Sequence, residues 1–272
     1  MLAVRTLTAA ALLAVFIAAV LFLERGPLAV VVGAVMAGAA REWAALAGLR
    51  ASGAIAYAAG CTALFGVIAA WSWPVAAAAP PIIAVLIGAL AFWGAVVPLW
   101  LARGMQGRPP VLLAAAGLVV LVPAALALVA LQPGPLLAIL GLVWISDTAA
   151  YVIGRAFGRR KLAPKVSPGK TVEGAAGAIV ASLAYAVILA VSMPAIGAHV
   201  KGFAWMPYAA GATVLCLAGI LGDLFESGAK RQAGVKDSGK LLPGHGGILD
   251  RIDSACAALP VGALLVAWAG TT

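Results

Sequence analysis

Long apolar runs, separated by short polar or proline-containing joints, fill almost the whole chain. A transmembrane helix needs about 20 mostly apolar residues, and runs of that length recur along the sequence. Hydropathy and the Pro/Gly breaks predict nine spans, at residues 7–23, 27–48, 53–73, 81–102, 111–131, 135–154, 174–193, 205–223 and 248–269. The pattern therefore predicts an all-α, polytopic transmembrane protein, because a transmembrane β-barrel would show short alternating segments instead.

The composition favours the same fold class. Of the 272 residues, 64% are hydrophobic and only 10% are charged, whereas a soluble domain carries about 25% charged residues. The three cysteines stand singly in apolar stretches, which is typical of small core residues and not of zinc ligands or a disulfide framework. The first apolar run is too long for a secretory signal and lacks a cleavage motif, so we expect it to be retained as a helix.

Lysine and arginine are distributed unevenly between the two sets of predicted loops. One set contains Arg5, Arg50, Arg103, Arg108 and the clusters at 155–170 and 230–240, and the other holds little beyond Arg25 and Lys201. Because cytoplasmic loops carry the excess of basic residues, we expect the N-terminus in the cytoplasm and the C-terminus outside. The chain then divides into N-terminal helices, 1–134, and a C-terminal catalytic region, 135–272, with cytoplasmic loops at 155–173 and 224–247.

Acidic residues concentrate in one polar stretch of this apolar chain. GVKDSGKLLPGHGGILDRID, at 234–253, holds three of the nine acidic residues and one of the two histidines. The predicted topology brings WISDTAAY (144–151) and GILGDLFES (219–227), which end two inward-running spans, to the same membrane face. All five aspartates are therefore expected near the cytoplasmic face: Asp147, Asp223, Asp237, Asp250 and Asp253.

Carboxylates within membrane spans are costly and mark functional sites by default. Several at one depth would repel one another unless a cation lay between them, and Mg²⁺ prefers oxygen ligands, typically one or two carboxylates plus substrate phosphates. We therefore predict a Mg²⁺ site, with a second cation left open, whose ligands are Asp147, Asp223, Asp250 and Asp253. The alternative is ion pairing with Arg251 and lysines at a helix end.

The basic, glycine-rich stretch GRAFGRRKLAPKVSPGKTVEG, at 154–174, has two interpretations. It could bind phosphate groups, or it could be an ordinary positively charged cytoplasmic loop. GKT at 169–171 does not make a P-loop, because Pro164 stands where that motif requires glycine. His245 lies in PGHGG, where glycines and a proline indicate a tight turn with close backbone approach, and this predicts a ligand contact.

Residues 227–253 resemble the signature of the phosphatidate cytidylyltransferases, or CDP-diacylglycerol synthases. SGAKRQAGVKDSGKLLPGHGGILDRID follows that pattern without a gap: Ser, two residues, Lys-Arg, four residues, Lys-Asp, then His-Gly-Gly and, after two more residues, Asp-Arg-x-Asp. SDTAAYVIGRAFGRRKLAPKVSPGKTVEG (146–174) and GDLFESGAKR (222–231) are also similar to segments of that family. The resemblance covers the C-terminal half and departs at Gly169, where the family commonly has a second lysine.

The resemblance implies that CTP and phosphatidic acid react to give CDP-diacylglycerol and pyrophosphate, with Mg²⁺, at the cytoplasmic face of a bacterial inner membrane. It also implies contact with membrane lipids, a homodimer and no nucleic-acid partner. The implied catalytic residues are Asp223, Asp250, Lys236 and His245. The implied substrate-binding residues are Arg160, Lys165, Ser167, Lys170, Thr171, Glu173, Ser227, Lys230, Arg231, Asp237 and Arg251.

Two other functions fit parts of the pattern. A CTP-dependent lipid kinase of the polyprenol or phytol type would move the γ-phosphate to a hydroxyl group, but the full signature at 227–253 favours the cytidylyltransferase. An ion- or proton-coupled transporter would place its acidic residues near the midplane, often in paired halves. Here the acidic residues crowd one face and one half of the chain.

Overall fold

The computed structural model describes residues 2–105, 107–241 and 246–270, which form a bundle of long helices. A five-residue π-helix, Phe92–Val96, joins the fourth and fifth helices into one continuous span. In chain order the helices are α1 (Leu2–Phe22), α2 (Arg25–Leu46), α3 (Ala51–Trp71), α4 (Pro80–Ala91), α5 (Val97–Arg103), α6 (Pro110–Ala130), α7 (Pro133–Phe157), α8 (Val172–Ser192), the single turn α9 (Pro194–Gly197), α10 (Trp205–Gln232) and α11 (Leu249–Trp268).

Eight spans in the described ranges are long and apolar enough to cross a membrane. They are formed by α2, α3, the continuous α4–α5, α6, α7, α8, α10 and α11, and they confirm the predicted polytopic, all-α fold class. The first predicted span falls on α1, whose described apolar part, Ala10–Phe22, is shorter than a full span. The total of nine spans and the orientation of the termini therefore stay predictions.

Two helices extend further at their polar ends than the hydropathy pattern predicted. α7 runs to Phe157 instead of residue 154, and α10 runs to Gln232 instead of residue 223. The polar end of α10 stays helical because Lys230 forms an ion pair with Glu226 one turn earlier, at 2.6 Å, and such a spacing stabilises helices. The loop predicted at 224–247 therefore begins only after Gln232.

The basic stretch after α7 folds as a small antiparallel hairpin. β1 (Lys161–Ala163) pairs with β2 (Ser167–Thr171), and the register places Lys161 opposite Thr171. α8 begins directly after β2, where the Thr171 hydroxyl oxygen accepts a hydrogen bond from the Gly174 N–H at 3.1 Å. This N-cap satisfies one of the free amide groups of the first helical turn, so it fixes the hairpin to the start of α8.

The helices before and after residue 134 share one core. α11 packs against α4 and α6 as well as against α7 and α10. Phe225 of α10 is fully buried, and four aromatic rings of the N-terminal helices surround it with centroid distances of 5.5–5.9 Å: Trp43, Phe92, Trp93 and Trp100. This cluster holds the polar end of α10 against the first half of the chain.

Candidate active site

Charged side chains meet at one end of the bundle, where α7 and α10 end and α8 and α11 begin. A cavity of about 450 Å³ lies there, between α7, the hairpin, α8 and α10. Its volume falls within the roughly 300–1,000 Å³ typical of small-molecule sites. Acidic, basic and hydroxyl-bearing side chains line the cavity: Asp147, Tyr151, Arg155, Ser167, Lys170 and Asp223.

Asp223 and Lys170 form the ion pair that crosses this cavity. The Lys170 Nζ atom, carried by β2, lies 2.6 Å from Oδ2 of Asp223 on α10. The hydroxyl of Ser227, one turn further along α10, donates to Oδ1 of Asp223 at 3.2 Å. Both charged side chains remain partly exposed, at 23% and 33%, so an anionic ligand in the cavity can reach the lysine and a cation can reach the carboxylate.

A second lysine lies deeper in the bundle, between two carboxylates. The Lys230 Nζ atom lies 2.6 Å from Oε2 of Glu226 and 2.7 Å from Oδ1 of Asp250. All three side chains are largely buried, with exposures of 13%, 4% and 9% respectively. Because a buried charge is costly without a partner, this cluster ties the end of α10 to the start of α11.

Asp250 also organises the loop that precedes α11. Its Oδ2 atom accepts hydrogen bonds from the Gly247 N–H at 2.9 Å and the Ser238 N–H at 3.0 Å, and the Ser238 hydroxyl lies 3.1 Å away. Gly246 adopts a φ of +87°, which only glycine reaches without strain. The glycine pair in the signature therefore lets the backbone fold around this carboxylate, whose two oxygens are both engaged.

Asp147 and Asp253 bring two further carboxyl groups to the same place. The Asp253 carboxylate interacts electrostatically with those of Asp223, Glu226 and Asp147. Its Oδ1 atom accepts a hydrogen bond from the Ser254 N–H at 2.8 Å. Within the described ranges, neither Asp147 nor Asp253 forms an ion pair with a lysine or arginine.

The ligand chemistry at this end of the bundle fits a hard divalent cation. Five carboxylates meet here and only two lysines pair with them in the part of the chain that the structure describes. No three acidic, histidine or cysteine side chains among those residues are close enough to enclose a metal ion. Mg²⁺ typically uses only one or two carboxylates and takes its other ligands from substrate phosphates and water, so this donor set suits an ion that binds together with a phosphate-bearing substrate.

Comparison of nearly the whole sequence with known protein families identifies the family of this chain. Residues 3–269 match the model of the cytidylyltransferase family. The chain belongs to this family. The family predicted from the signature at 227–253 is thereby confirmed, and the match extends through the N-terminal helices, where the sequence pattern had shown only apolar character.

Individual cytidylyltransferases are similar over different lengths. The phosphatidate cytidylyltransferase of Pseudomonas aeruginosa is 40% identical over 287 aligned positions, which cover 99% of this chain and 98% of that protein. That of Haemophilus influenzae is 50% identical over 122 positions, or 44% of this chain and 41% of that protein. That of Staphylococcus saprophyticus is 47% identical over 119 positions, or 44% of each. The chain is therefore a nucleotidyltransferase enzyme of the cytidylyltransferase type.

Several predicted substrate-binding residues of this cytidylyltransferase form hydrogen bonds that stabilise the hairpin. The Glu173 carboxylate accepts hydrogen bonds from the backbone N–H groups of Arg159 at 3.0 Å and Arg160 at 3.2 Å. Arg231 donates to the Val166 carbonyl at 3.4 Å, which links α10 to the turn of the hairpin. These contacts hold the hairpin over the cavity, and Thr171 caps α8 beneath it.

The remaining predicted residues lie at the surface of the same end. The structure places them in exposed positions around the cavity and the loop: the Arg160 side chain, Lys165, Lys236, Asp237 and Arg251. His245 lies outside the described residues, so its predicted ligand contact stays a prediction.

Three further residues of this end, Glu42, Glu226 and Ser238, were absent from the predicted set. Glu42 is an acidic residue inside the second predicted span, so the criterion that selected the aspartates applies to it equally. Glu226 lies four residues before Lys230, a spacing that brings side chains together on a helix. A single serine in a polar loop gives no comparable signal, and only the fold places Ser238 between Glu42 and Asp250.

Proposed function

We propose that this enzyme is a phosphatidate cytidylyltransferase, which transfers the cytidylyl group of CTP to phosphatidate and releases pyrophosphate. The observation that supports this most strongly is the 40% identity to the Pseudomonas aeruginosa enzyme over essentially both full chains. The charged cavity at one end of a membrane-spanning bundle fits a reaction between a water-soluble nucleotide and a lipid headgroup.

The chemistry needs little from a general base. The lipid phosphomonoester has a second pKa near 6, so it is largely ionised at pH 7 and can attack the α-phosphorus of CTP directly. The new bond joins a lipid phosphate oxygen to that phosphorus, and the bond from the α-phosphorus to the oxygen bridging to the β-phosphate breaks. The main barrier is the approach of two polyanions, which positive charge in the site lowers. Lys170 and Arg155 supply such charge from the wall of the cavity.

Mg²⁺ is the proposed cofactor, with a second cation as an open alternative. Of the four predicted ligands, Asp147, Asp223, Asp250 and Asp253, one or two would hold the ion together with substrate phosphates, and a bound Mg²⁺ would neutralise phosphate charge as a Lewis acid. Among these four, Asp250 is engaged by Lys230 and the loop. Asp147 and Asp253 have no ion-pair partner among the described residues and lie beside Asp223.

The lipid is proposed to enter the cavity from the bilayer along α7. Tyr151 lines the cavity, is 64% exposed at the outer surface of the bundle and accepts a hydrogen bond from Arg155 at 2.8 Å. Val152 beside it is also exposed, as expected for a lipid-facing surface. CTP would arrive from the side of the basic hairpin.

We further propose a homodimer in a bacterial inner membrane, with this end of the bundle in the cytoplasm.

The choice of acceptor lipid tests this function. Purified enzyme in mixed micelles should form CDP-diacylglycerol and pyrophosphate in equal amounts from CTP and phosphatidate. It should form no product with diacylglycerol or a polyprenol, whose hydroxyl groups a lipid kinase would phosphorylate. EDTA should stop the reaction and added Mg²⁺ should restore it. Transfer to the hydroxyl lipids without transfer to phosphatidate would contradict the proposal.

Lys170→Ala is expected to lower kcat/KM about tenfold to a hundredfold. The lysine lines the cavity and forms an ion pair with Asp223. A hydrogen bond to a charged group contributes about 1.5–3 kcal/mol. Steady-state kinetics with CTP and phosphatidate varied in turn would show which substrate depends on it. Lys161→Ala is the matched control, because Lys161 is exposed on the other strand of the hairpin. Wild-type kinetics in Lys170→Ala would leave the hairpin with a role in membrane orientation only.

A further inference from the structure

Glu42 is a buried carboxylate of α2 that makes no ion pair in the described part of the chain. Its side chain is directed instead at the signature segment, 196 to 207 residues later in the chain. Oε1 accepts a hydrogen bond from the Ile248 N–H at 3.1 Å, and Oε2 accepts one from the Leu249 N–H at 2.9 Å. The Ser238 hydroxyl lies 3.0 Å from Oε2.

These contacts cap the N-terminus of α11 from another helix. The residue at the cap position, Ile248, has no side chain that could accept a hydrogen bond from the first turn. The first N–H groups of a helix need acceptors, and a negative charge there interacts favourably with the helix dipole. Glu42 provides both, and Asp250 lies in the turn that it caps.

The glycines of the signature make room for this carboxylate. A Cβ atom at Gly239 or at Gly247 would overlap the Glu42 carboxylate. On α2 itself, a Cβ atom at Gly38 would lie 2.7 Å from Cδ1 of Ile248, closer than such contacts occur. A side chain at Gly239 or Gly247 would displace the Glu42 carboxylate from its hydrogen bonds, and one at Gly38 would require the Ile248 side chain to move, so the loop packs closely on α2 at these glycines.

A continuous set of contacts runs from Glu42 to the charged cluster. The Ser238 hydroxyl lies between Oε2 of Glu42 and Oδ2 of Asp250, at 3.0 Å and 3.1 Å. It has one proton to donate and so joins the two carboxylates through a single group. Asp250 in turn pairs with Lys230 at 2.7 Å. A displacement of Glu42 would therefore be transmitted to Asp250 through both Ser238 and the first turn of α11.

We propose that Glu42 is a positioning residue for the cytidylyl transfer. It fixes the loop after α10 and the first turn of α11, so that Asp250 and Lys230 keep their places in the site, and it does not touch the substrates. The proposal rests on the proposed function, and it gives the N-terminal helices a specific part in the reaction.

Glu42→Gln tests this role, because the amide keeps the shape but sets an NH₂ group against backbone donors. We expect kcat to fall on the order of tenfold to a hundredfold, as for a small misplacement of catalytic groups, with KM for both substrates nearly unchanged. Trypsin should cleave faster at Lys236 and Lys240, which flank Ser238. Tyr57→Phe is the control, because it removes another interhelical hydrogen bond of the N-terminal helices, from Tyr57 to the Ala114 carbonyl at 2.6 Å.

Ser238→Ala provides a second variant if Glu42→Gln does not fold. It removes only the hydroxyl between the two carboxylates, and kcat should fall several-fold without a loss of thermal stability. Unchanged kcat and unchanged trypsin cleavage in whichever variants fold would overturn the proposal, as would an equal kcat loss in Tyr57→Phe. If the wild type made no CDP-diacylglycerol, the proposed function would fail, while faster cleavage in Glu42→Gln alone would still support the positioning of the loop.

Discussion

Asp223→Asn is expected to lose nearly all turnover while the enzyme still folds and inserts into the membrane. The carboxylate pairs with Lys170 at 2.6 Å across the cavity and is a proposed Mg²⁺ ligand. Asparagine keeps the size and shape of the side chain but removes its charge. Loss of one group that stabilises charge in a transition state typically costs a hundredfold to a thousandfold in kcat, roughly 3–4 kcal/mol. CDP-diacylglycerol formation at saturating substrates and Mg²⁺ measures this loss.

Two comparisons separate this effect from a general loss of acidic charge. Glu24→Gln removes an exposed carboxylate at the start of α2, far along the chain from the site, and should leave the rate unchanged. Asp250→Asn should be as inactive as Asp223→Asn but less stable, because its amide group would face Lys230 and two backbone donors. Near-normal activity of Asp223→Asn at high Mg²⁺ would show that this carboxylate is not needed for the reaction.

Lys230→Met is expected to destabilise the fold more than any other single change in the site. Lys230 lies between Glu226 and Asp250, at 2.6 Å and 2.7 Å, and all three side chains are largely buried. Removing one partner of a buried charge cluster costs about 3–5 kcal/mol, because the remaining charges are left uncompensated. The variant should therefore show a clearly lower Tm in detergent, little folded protein and no measurable turnover.

A second substitution tests the electrostatic origin of this effect. Glu226→Gln added to Lys230→Met removes one of the two uncompensated carboxylates and should recover part of the lost stability. It should not recover activity, because Asp250 still lacks its partner. If the double variant were less stable than Lys230→Met, packing of the lysine stem and not charge would explain the loss. Thermal unfolding of the purified single and double variants provides the comparison.

The sequence predicted the fold class and the polar end of the bundle because both depend on local pattern. Apolar length alone identifies spans such as α3 and α6, and the aspartates stand out against their apolar surroundings. Hydropathy failed at the end of α10, since Glu226 and Lys230 are polar residues that remain helical by pairing with each other. The hairpin at 161–171 was also missed, because its strands have only three and five residues and β2 contains a proline and a glycine.

The spacing of residues along the sequence could not predict which groups the site residues contact. Asp250 and Asp253 were placed correctly on one helix, but the sequence gives no sign that Asp250 holds Lys230 and the preceding loop. Glu173 was predicted to meet substrate, and the fold directs it at two backbone amides of the hairpin. The contact between Glu42 and Leu249 joins residues 207 positions apart, and only the packing of α2 beside α11 brings them together.

The fate of each CTP phosphate tests the proposed reaction most directly. Purified enzyme is incubated with phosphatidate micelles, Mg²⁺ and CTP labelled with ³²P at either the α- or the γ-position, and the extracted lipid is counted. Cytidylyl transfer predicts that the α-label enters the lipid as CDP-diacylglycerol, while the γ-label stays in water as pyrophosphate. Asp223→Asn should abolish the lipid label and Glu24→Gln should not. A γ-label in the lipid, or no α-label in the lipid with the folded wild-type enzyme, would contradict the account.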